Sequence, residues 1–500
     1  MRNAGLGSWP ERQARVAANR QALVFEDTSV DYATFADRVR RTASGLAARG
    51  VRAGDRVAWI SGNHPSGLET LYACGQLGAI WVPVNARLAA PEAQYILDHS
   101  GARVVVHGQV HGTLRERLPN VSAWISAESE ELLAGQDPEP RDEPVTLDDP
   151  CLIMYTSGTT GRPKGAVLTH GNMTWACLNQ ILGFGISAAE RTLALAPFFH
   201  IGGLNGTANP TLLCGGTVVI ARSFDPAGIL ALIERERITS FFAVPTMLDA
   251  MSRDPGFTVR DLSSLRTVAA AGAPLPLPTL RTWLDRGVTM QQAYGMTEAA
   301  PTGTVLESAD AVRKIGSAGK PQFFTDVRVV RPDGTDTDAG EIGEVILAGP
   351  TIMAGYWREP ERTAEAIVDG WYHSGDAGAL DEEGFLYIRD RYRDMIISGG
   401  ENVYPAEVES ALLELPGVVE AAVIGVPDEK WGEAGLAVLV CTPEAADGER
   451  IRHALRDRLA GFKVPREIRF VATLPKTATG KVRKQDLRDG YRPGSSEVPF

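Results

Sequence analysis

The chain has 500 residues, of which 44% are hydrophobic and 22% charged, and its 62 acidic against 50 basic residues give a formal net charge of −12. This length predicts more than one domain and a large core. The negative field argues against nucleic acid or anionic lipid as main partners, so a polyphosphate substrate would need a local basic site. Five scattered cysteines without CxxC spacing, no signal-peptide pattern and no apolar run of about 18 residues predict a cytoplasmic protein without a transmembrane segment.

Alternating helix and strand patterns fill the first three hundred residues. Apolar residues at helical spacing predict a first helix that Gly50 ends, and a buried strand follows over 56–60. Two further units repeat the pattern, with helices over 65–77 and 91–99 and strands over 79–82 and 103–106. Such repeats predict an α/β fold with a mainly parallel sheet covered by helices.

A loop rich in glycine and hydroxyl side chains occupies 156–165, between the apolar runs 152–155 and 166–168. Its backbone N–H groups can wrap phosphate oxygens, and Lys164 would add a mobile positive charge. The pattern is not a Walker A loop, because GxxxxGK[ST] is absent and the next segment is predicted to be a strand. The loop predicts a nucleotide triphosphate site, with a flexible glycine–threonine turn as the alternative.

The pattern changes twice after residue 300. Short strands and glycine turns over 342–388 predict a small β-rich subdomain within about 305–390. The last hundred residues predict a compact α+β domain, in which one helix starts at Pro405. A second helix in this domain should turn its apolar residues inward: Ile451, Leu455 and Leu459.

Five motifs, in this order along the chain, resemble those of the adenylate-forming superfamily of acyl-CoA synthetases, luciferases and peptide-synthetase adenylation domains. They are 156–165, Tyr294–Glu298, Ser374–Asp376, 390–405 and Thr479–Lys481. Each is weak alone, whereas five in the right order are very specific. The chain looks most like bacterial fatty-acyl-CoA ligases, and feruloyl-type CoA ligases are nearly as similar.

The resemblance implies a large N-terminal adenylation domain over 1–390 and a small mobile C-terminal domain over 391–500. It also implies a two-step reaction. The carboxylate of an organic acid attacks the α-phosphate of ATP and releases pyrophosphate, and the thiol of CoA then opens the acyl-adenylate. ATP and CoA are the implied co-substrates and Mg²⁺ the implied cofactor, since an anion must approach a polyanion.

The roles of individual residues follow from the matched motifs. The resemblance implies Lys481, His200, Thr297 and Glu298 as catalytic residues, with Glu298 also as the Mg²⁺ ligand. Tyr294 would stack on adenine. The implied ATP-binding residues are Thr156, Ser157, Gly158, Thr159, Thr160, Gly161, Lys164, Gly272, Ala273, Tyr294, Asp376 and Arg391.

The acid is implied to bind beside the segment 199–206, which has no carboxylate to pair with an α-amine and so disfavours an amino acid. Its glycines are expected to leave room for a hydrophobic chain. A medium- or long-chain fatty acid is favoured, and a hydroxycinnamate or other aryl acid stays open. The implied acyl pocket consists of His200, Gly202, Gly203, Gly206, Gly272, Ala293, Gly295 and Pro301.

The C-terminal domain is implied to swing about a hinge at Arg393, where relatives mostly carry Lys or Asp. In one orientation Lys481 would face ATP; in the other, Ser398, Gly399 and Gly400 would line the CoA channel. A side chain at Gly399 would block the path of the thiol. Three other hypotheses stay open: transfer to a carrier protein instead of CoA, a non-catalytic binding protein and a luciferase-like oxygenase. A homodimer is also left open.

Overall fold

A computed structural model describes residues 2–108, 112–118, 121–134, 136, 141, 143–156, 162–272, 275, 277–391, 396–403, 405–475, 482 and 484–491. The chain divides into two compact units. The first comprises 1–86, 97–155 and 165–390, and the second comprises 87–96, 156–164 and 391–500.

The strands alternate with helices as far as residue 300. In chain order the strands are β1 (Gln21–Phe25), β2 (Thr28–Asp31), β3 (Arg56–Ile60), β4 (Ile80–Pro83), β5 (Val104–His107), β6 (Ala123–Ser126), β7 (Pro150–Thr156), β8 (Lys164–Thr169), β9 (Arg191–Ala194), β10 (Thr217–Ile220), β11 (Ser240–Ala243), β12 (Thr267–Ala270), β13 (Met290–Gly295), β14 (Thr302–Leu306), β15 (Lys320–Pro321), β16 (Asp326–Val330), β17 (Gly343–Ala348), β18 (Gly355–Tyr356), β19 (Ile367–Val368), β20 (Trp371–Leu380), β21 (Leu386–Arg391), β22 (Ile396–Ser398), β23 (Glu401–Val403), β24 (Val418–Asp428), β25 (Gly432–Cys441) and β26 (Glu467–Phe470).

Helices lie between many of these strands along the chain. They are α1 (Trp9–Ala17), α2 (Tyr32–Ala48), α3 (Pro65–Leu77), α4 (Ala90–Ser100), α5 (Gly112–Arg117), α6 (His170–Phe184), α7 (Ile201–Asn205), α8 (Ala208–Cys214), α9 (Pro226–Glu236), α10 (Pro245–Arg253), α11 (Gly256–Val259), α12 (Leu277–Asp285), α13 (Pro360–Ala366), α14 (Pro405–Leu413), α15 (Gly448–Arg456) and α16 (Lys484–Gly490).

Two large sheets and one smaller sheet form most of the first unit. The nine-stranded sheet has the order β15-β14-β13-β12-β11-β9-β10-β1-β2, and its strands from β13 to β1 run parallel. The seven-stranded sheet has the order β18-β8-β7-β4-β3-β5-β6. A five-stranded sheet of β16, β17, β19, β20 and β21 is the β-rich part. The predicted α/β fold with parallel sheets is confirmed.

Local sequence signals explain where the helices begin and end. In α3, Pro65 occupies the first turn and Gly78 ends the helix in the left-handed conformation, with φ of 65°. In α6, the side chains of Thr169 and Asn172 form a reciprocal capping box, and Gly185 ends the helix in the same way as Gly78. These caps set the two ends of α6.

A buried histidine at the start of α6 makes the first unit sensitive to acid. The Nδ1 of His170 accepts a hydrogen bond from the Leu6 N–H at 3.2 Å, and the ring is fully buried. Burial lowers its pKa from the usual 6.5 to about 4. Between pH 6.5 and pH 4 this histidine therefore binds a proton in the unfolded chain but not in the folded one.

We expect the free energy of unfolding to fall by about 3 kcal/mol between pH 6.5 and pH 4 from this group alone. The variant His170→Gln should flatten that part of the profile, as measured by urea unfolding at a series of pH values. The exposed His453 supplies the control, since His453→Gln should leave the profile unchanged. An equally steep fall in His170→Gln would contradict the assignment.

The second unit is a five-stranded sheet of β22 to β26 with α14 and α15 packed on one face. Within this unit Lys463 Nζ donates to Glu92 Oε1 at 2.8 Å and to Glu407 Oε1 at 2.7 Å, and all three side chains are buried. Burial raises the pKa of Glu407. These bonds explain why 87–96 clusters with the last hundred residues.

One predicted helix is shorter than expected. Ile451 and Leu455 face inward on α15, but α15 ends at Arg456, so Leu459 lies beyond it. The Leu459 N–H still donates to the Leu455 carbonyl at 2.7 Å, and this extra turn keeps Leu459 in the core. Among the described residues, every helix is too short or too polar to cross a membrane.

Candidate active site

The predicted acyl and adenine segments of the first unit meet at one edge of the nine-stranded sheet. Each lies at the carboxyl end of a parallel strand: 196–200 follows β9, Gly272 follows β12, and 296–298 follows β13, which ends at Gly295. The carboxyl ends of parallel strands form one edge, and ligands of open α/β sheets bind there. The sheet topology thus gathers segments that are far apart in the sequence.

Tyr294 and Asp376 are joined directly. The Tyr294 hydroxyl donates to Asp376 Oδ2 at 2.7 Å, and the Asp376 side chain is buried. The Asp376 N–H in turn donates to Ser374 Oγ at 3.0 Å, so the first and last residues of the Ser-Gly-Asp motif hold each other in place. The two residues implied for adenine and ribose therefore lie side by side.

Glu298 is a buried carboxylate with a partner that the sequence did not reveal. It lies in a 3₁₀ turn, Thr297–Ala299, directly after β13, and is 7% exposed. The Tyr356 hydroxyl donates to Glu298 Oε1 at 3.0 Å. Tyr356 stands on β18, which pairs with the strand that follows the glycine-rich loop: Tyr356 lies opposite Ala166. Tyr356 follows Gly355 in a two-residue strand and belongs to no recognisable motif, so the sequence alone gave no signal for this contact.

The chemistry of Glu298 fits a magnesium ion. Mg²⁺ is commonly held by one or two carboxylates together with phosphate oxygens and water. Among the described residues there is no group of three or more histidine, cysteine, aspartate or glutamate side chains that could hold a metal by themselves. A single buried carboxylate of this kind, close to the predicted nucleotide-binding residues, fits an Mg²⁺ ion that phosphate oxygens would also hold.

The glycine-rich loop is partly described. Its flanking strands are β7, which ends at Thr156, and β8, which begins at Lys164, so the strand predicted after the loop is present. Lys164 differs from the prediction of a mobile charge, because it opens a strand and is only 9% exposed. Residues Ser157, Gly158, Thr159, Thr160 and Gly161 lie outside the described residues.

The glycines of the predicted acyl pocket do not leave open space. A Cβ on Gly202 would lie 2.8 Å from the Phe242 ring, and one on Gly206 would lie 3.1 Å from the same side chain. A Cβ on Gly203 would lie 2.2 Å from the Pro197 carbonyl oxygen. Gly295 is similarly tight, since its Cβ would lie 2.0 Å from the Pro301 carbonyl oxygen. The prediction that these glycines make room is wrong: they allow close packing.

Gly272 is the exception among the predicted glycines. Its φ is +90°, a backbone conformation that favours glycine, and the nearest atom to an added Cβ would be Val244 Cγ1 at 3.4 Å. Glycine is therefore required at this position by the backbone turn after β12. Ala273, which follows it, lies outside the described residues.

Phe242 forms a wall of the predicted acyl pocket that sequence reasoning missed. It lies on β11 next to Phe241, whose side chain enters the core on the other face of the sheet with Trp283. Phe242 is partly exposed and packs on the glycine face of α7. The alternation of two phenylalanines predicts that they point to opposite faces, but does not indicate which face carries a site.

Small side chains line the sheet beside Phe242. Ala269, Ala271 and Ala293 stand on or next to β12 and β13, and they cluster with Phe242 and five other apolar residues. All three alanines are buried within this apolar cluster. Its other members besides Phe242 are Phe184, Ile186, Val305, Ile181 and Cys214.

His200 stands at the entrance to α7. It is the residue before Ile201, and its ring packs edge-on against Phe199 with ring centres 4.9 Å apart. The ring is neither fully buried nor fully exposed. This half-buried position between α7 and the sheet edge is suitable for a side chain that meets the carboxyl end of a substrate.

In the second unit, the predicted CoA-channel residues form a tight turn between β22 and β23. Ser398 is buried, and Gly399 and Gly400 have φ of 59° and 82°, so both need glycine. A Cβ on Gly399 would lie 2.5 Å from the Trp431 ring, and the Gly399 N–H donates to the Trp431 carbonyl at 2.8 Å. Packing against Trp431 is thus a second reason for glycine here.

Three further predicted residues lie wholly or partly outside the residues that the structure describes. Arg391 is the last residue of β21, and its side chain lies outside the described residues, as do Arg393 and Lys481 as a whole. Their implied roles stay predictions.

Comparison with known proteins defines the class. The family model of AMP-binding enzymes matches residues 10–357, and the model of the AMP-binding enzyme C-terminal domain matches 407–481. The chain belongs to the AMP-binding enzyme family, within its AMP-forming acid–CoA ligases.

Three relatives show the range of the similarity. A feruloyl-CoA synthase from Amycolatopsis sp is 50% identical over 98% of this chain and 99% of that protein. A long-chain-fatty-acid–CoA ligase from Mycobacterium tuberculosis is 39% identical over the full length of both. Among solved structures, a double mutant of o-succinylbenzoate CoA synthetase from Bacillus subtilis, bound with a product analogue, has a TM-score of 0.90 at 34% identity, covering 96% of this chain and 98% of that one.

Proposed function

We propose that the protein joins an aryl-propenoic acid, of the hydroxycinnamate type, to CoA at the expense of ATP. The observation that carries this proposal is the 50% identity to a feruloyl-CoA synthase over nearly the whole of both chains. The long-chain-fatty-acid ligase matches over the full length of both chains but is only 39% identical. The proposal therefore favours the aryl acid over the fatty acid that sequence reasoning preferred.

The shape of the sheet face supports the same substrate class. A planar ring and its conjugated propenoate need a flat apolar surface and aromatic walls at edge or face contact. The alanines at 269, 271 and 293 would supply the flat surface, and Phe242, in the same cluster, would supply an aromatic wall that limits the length of a flexible chain.

Lys164 of the second unit and four residues of the first would divide the first half-reaction between them. Tyr294 would stack on adenine while its hydroxyl orients Asp376 for the ribose. Thr297 would donate to the α-phosphate, and Lys164 would neutralise the outer phosphates. His200 would contact the carboxylate of the acid. The aim of these groups is to stabilise negative charge as two anions approach.

Mg²⁺ would be held by Glu298 together with phosphate oxygens of ATP. When bound, it would lower the charge repulsion between the acid and the phosphates. Tyr356 would keep the Glu298 carboxylate oriented through the bond to Oε1. In the second unit, Ser398, Gly399 and Gly400 would line the path of CoA, and Lys481 would serve the first half-reaction before the domain turns at Arg393.

A panel of acids tests the proposed substrate class. Purified protein with ATP, Mg²⁺ and CoA should convert ferulic and 4-hydroxycinnamic acids to thioesters at least about tenfold more efficiently than decanoic or palmitic acid, measured as kcat/KM by mass spectrometry. Preference for the fatty acids would overturn the aryl assignment and support the second candidate, a fatty-acid–CoA ligase. Release of AMP without any thioester would overturn CoA as the acceptor.

The variant Phe242→Ala, assayed with the same acids, tests the proposed role of Phe242 as a wall of the acyl pocket. Removing the ring should raise kcat/KM for decanoic acid about tenfold and lower it for ferulic acid by a similar factor, because a longer channel opens where the ring stood. Phe323→Ala provides a matched control, since Phe323 is 80% exposed and lies elsewhere. An unchanged ratio of the two acids in Phe242→Ala would contradict the role of the wall.

A further inference from the structure

A buried amide beside the alanine-lined face has an oxygen without a partner. Gln180 lies on α6 and is fully buried, and its Nε2 donates to Thr302 Oγ1 at 2.5 Å. Its Oε1 has no hydrogen-bond partner within the part of the chain that the structure describes. Buried acceptors are nearly always paired, because desolvation without a hydrogen bond is costly.

Neighbouring bonds fix which atom of this amide is the oxygen. The Thr302 hydroxyl donates to Gln322 Oε1 at 2.6 Å, so its oxygen accepts the bond from Gln180. Gln322 Nε2 donates onward to the Asn179 carbonyl at 3.4 Å. Since each donor in this series already faces an acceptor, turning the Gln180 amide over would place its oxygen against the oxygen of Thr302 without a proton to share.

The register of β13 and β14 places Thr302 on the face of the alanines. Ala293 lies opposite Val305, and Gly295 lies opposite Thr302. Between these two pairs β14 has one residue more than β13, and the register shifts at that point. Residues directly opposite each other in an antiparallel pair point to the same side. Because Ala293 and Gly295 are two apart and share a face, Thr302 shares it too, and Gln180 reaches Thr302 from the helix that covers this face.

We propose that Gln180 Oε1 accepts a hydrogen bond from a hydroxyl on the aromatic ring of the acid, which makes Gln180 a specificity-determining residue. This inference rests on the proposed aryl-acid function. An amide oxygen only accepts, so it pairs with a neutral phenol, whose pKa near 10 keeps its proton at neutral pH. A methyl ether or an unsubstituted ring offers no donor and leaves the oxygen unpaired.

The acids themselves supply the first test. For the unaltered protein, kcat/KM should be about tenfold higher for 4-hydroxycinnamic acid than for cinnamic acid, and 4-methoxycinnamic acid should resemble cinnamic acid or be worse. This comparison needs no variant and so cannot be confused by misfolding. Equal use of the three acids would overturn the inference while leaving the aryl-acid function standing; use of fatty acids alone would overturn both.

A pair of glutamine variants supplies the second test. Gln180→Leu should lose the preference for the hydroxylated acid. Gln291 is the matched control, because both ends of its amide are bonded, to Thr267 Oγ1 at 2.7 Å and to the Gly183 carbonyl at 3.1 Å. Gln291→Leu should keep the preference. A preference that survives in Gln180→Leu, or equal losses on both acids, would overturn the assignment.

Discussion

Lys481→Ala should slow formation of the acyl-adenylate by about a thousandfold while leaving thioester formation from added acyl-adenylate within a few-fold of normal. A cation that faces the α-phosphate as charge develops acts only on the step in which carboxylate and phosphate approach each other. Losses of two to three orders of magnitude are typical when a single group that stabilises charge is removed. ATP–pyrophosphate exchange measures the first step, and CoA thioester formation from synthetic acyl-adenylate measures the second.

The control for this variant lies three residues further along the chain. Lys484 opens α16 and its Nζ lies 2.7 Å from Glu409 Oε1. Lys484→Ala removes the same charge from the same region and should change both half-reactions by less than about threefold, since a single ion pair of this kind contributes little. Equal loss of both half-reactions in Lys481→Ala would contradict a role of Lys481 in adenylation alone.

Glu298→Gln should reduce adenylation by about a hundredfold and raise the Mg²⁺ concentration needed for half-maximal exchange. The substitution keeps the shape of the side chain but removes the charge that a hard cation prefers. Because Glu298 is buried and accepts from Tyr356, the loss of its charge should scarcely alter its position. ATP–pyrophosphate exchange, titrated with Mg²⁺, measures both effects.

A graded variant separates charge from orientation. Tyr356→Phe removes only the hydroxyl that donates to Glu298 Oε1, so it should lower adenylation about three- to tenfold with a smaller shift in the Mg²⁺ requirement. Full activity of Glu298→Gln at ordinary Mg²⁺ would exclude this residue as the ligand. A larger effect from Tyr356→Phe than from Glu298→Gln would instead assign the main role to the tyrosine.

Helix and strand positions followed closely from the sequence where proline and glycine marked them. The predicted helix over 65–77 is α3 with the same bounds, because Pro65 suits a first turn and Gly78 suits a left-handed end. Leu459 faces inward as predicted but lies beyond α15, which ends at Arg456; one further turn, closed by the bond from the Leu459 N–H to the Leu455 carbonyl, carries it into the core. Lys164 was expected on a loop, but β8 begins at Lys164 itself, two residues before the apolar run 166–168.

Motif order alone determined the family and the class of reaction, because each motif is a short, local pattern whose residues are adjacent in the chain. Only the tertiary structure decided which of these residues touch. Tyr294 and Asp376 are 82 residues apart, and Glu298 and Tyr356 are 58 apart. Such contacts depend on sheet order and strand register, which short patterns do not contain. The same holds for Phe242 and Gln180, because their neighbours lie on α6, α7 and three strands. A role for either residue in substrate binding can therefore be proposed only from the packed structure.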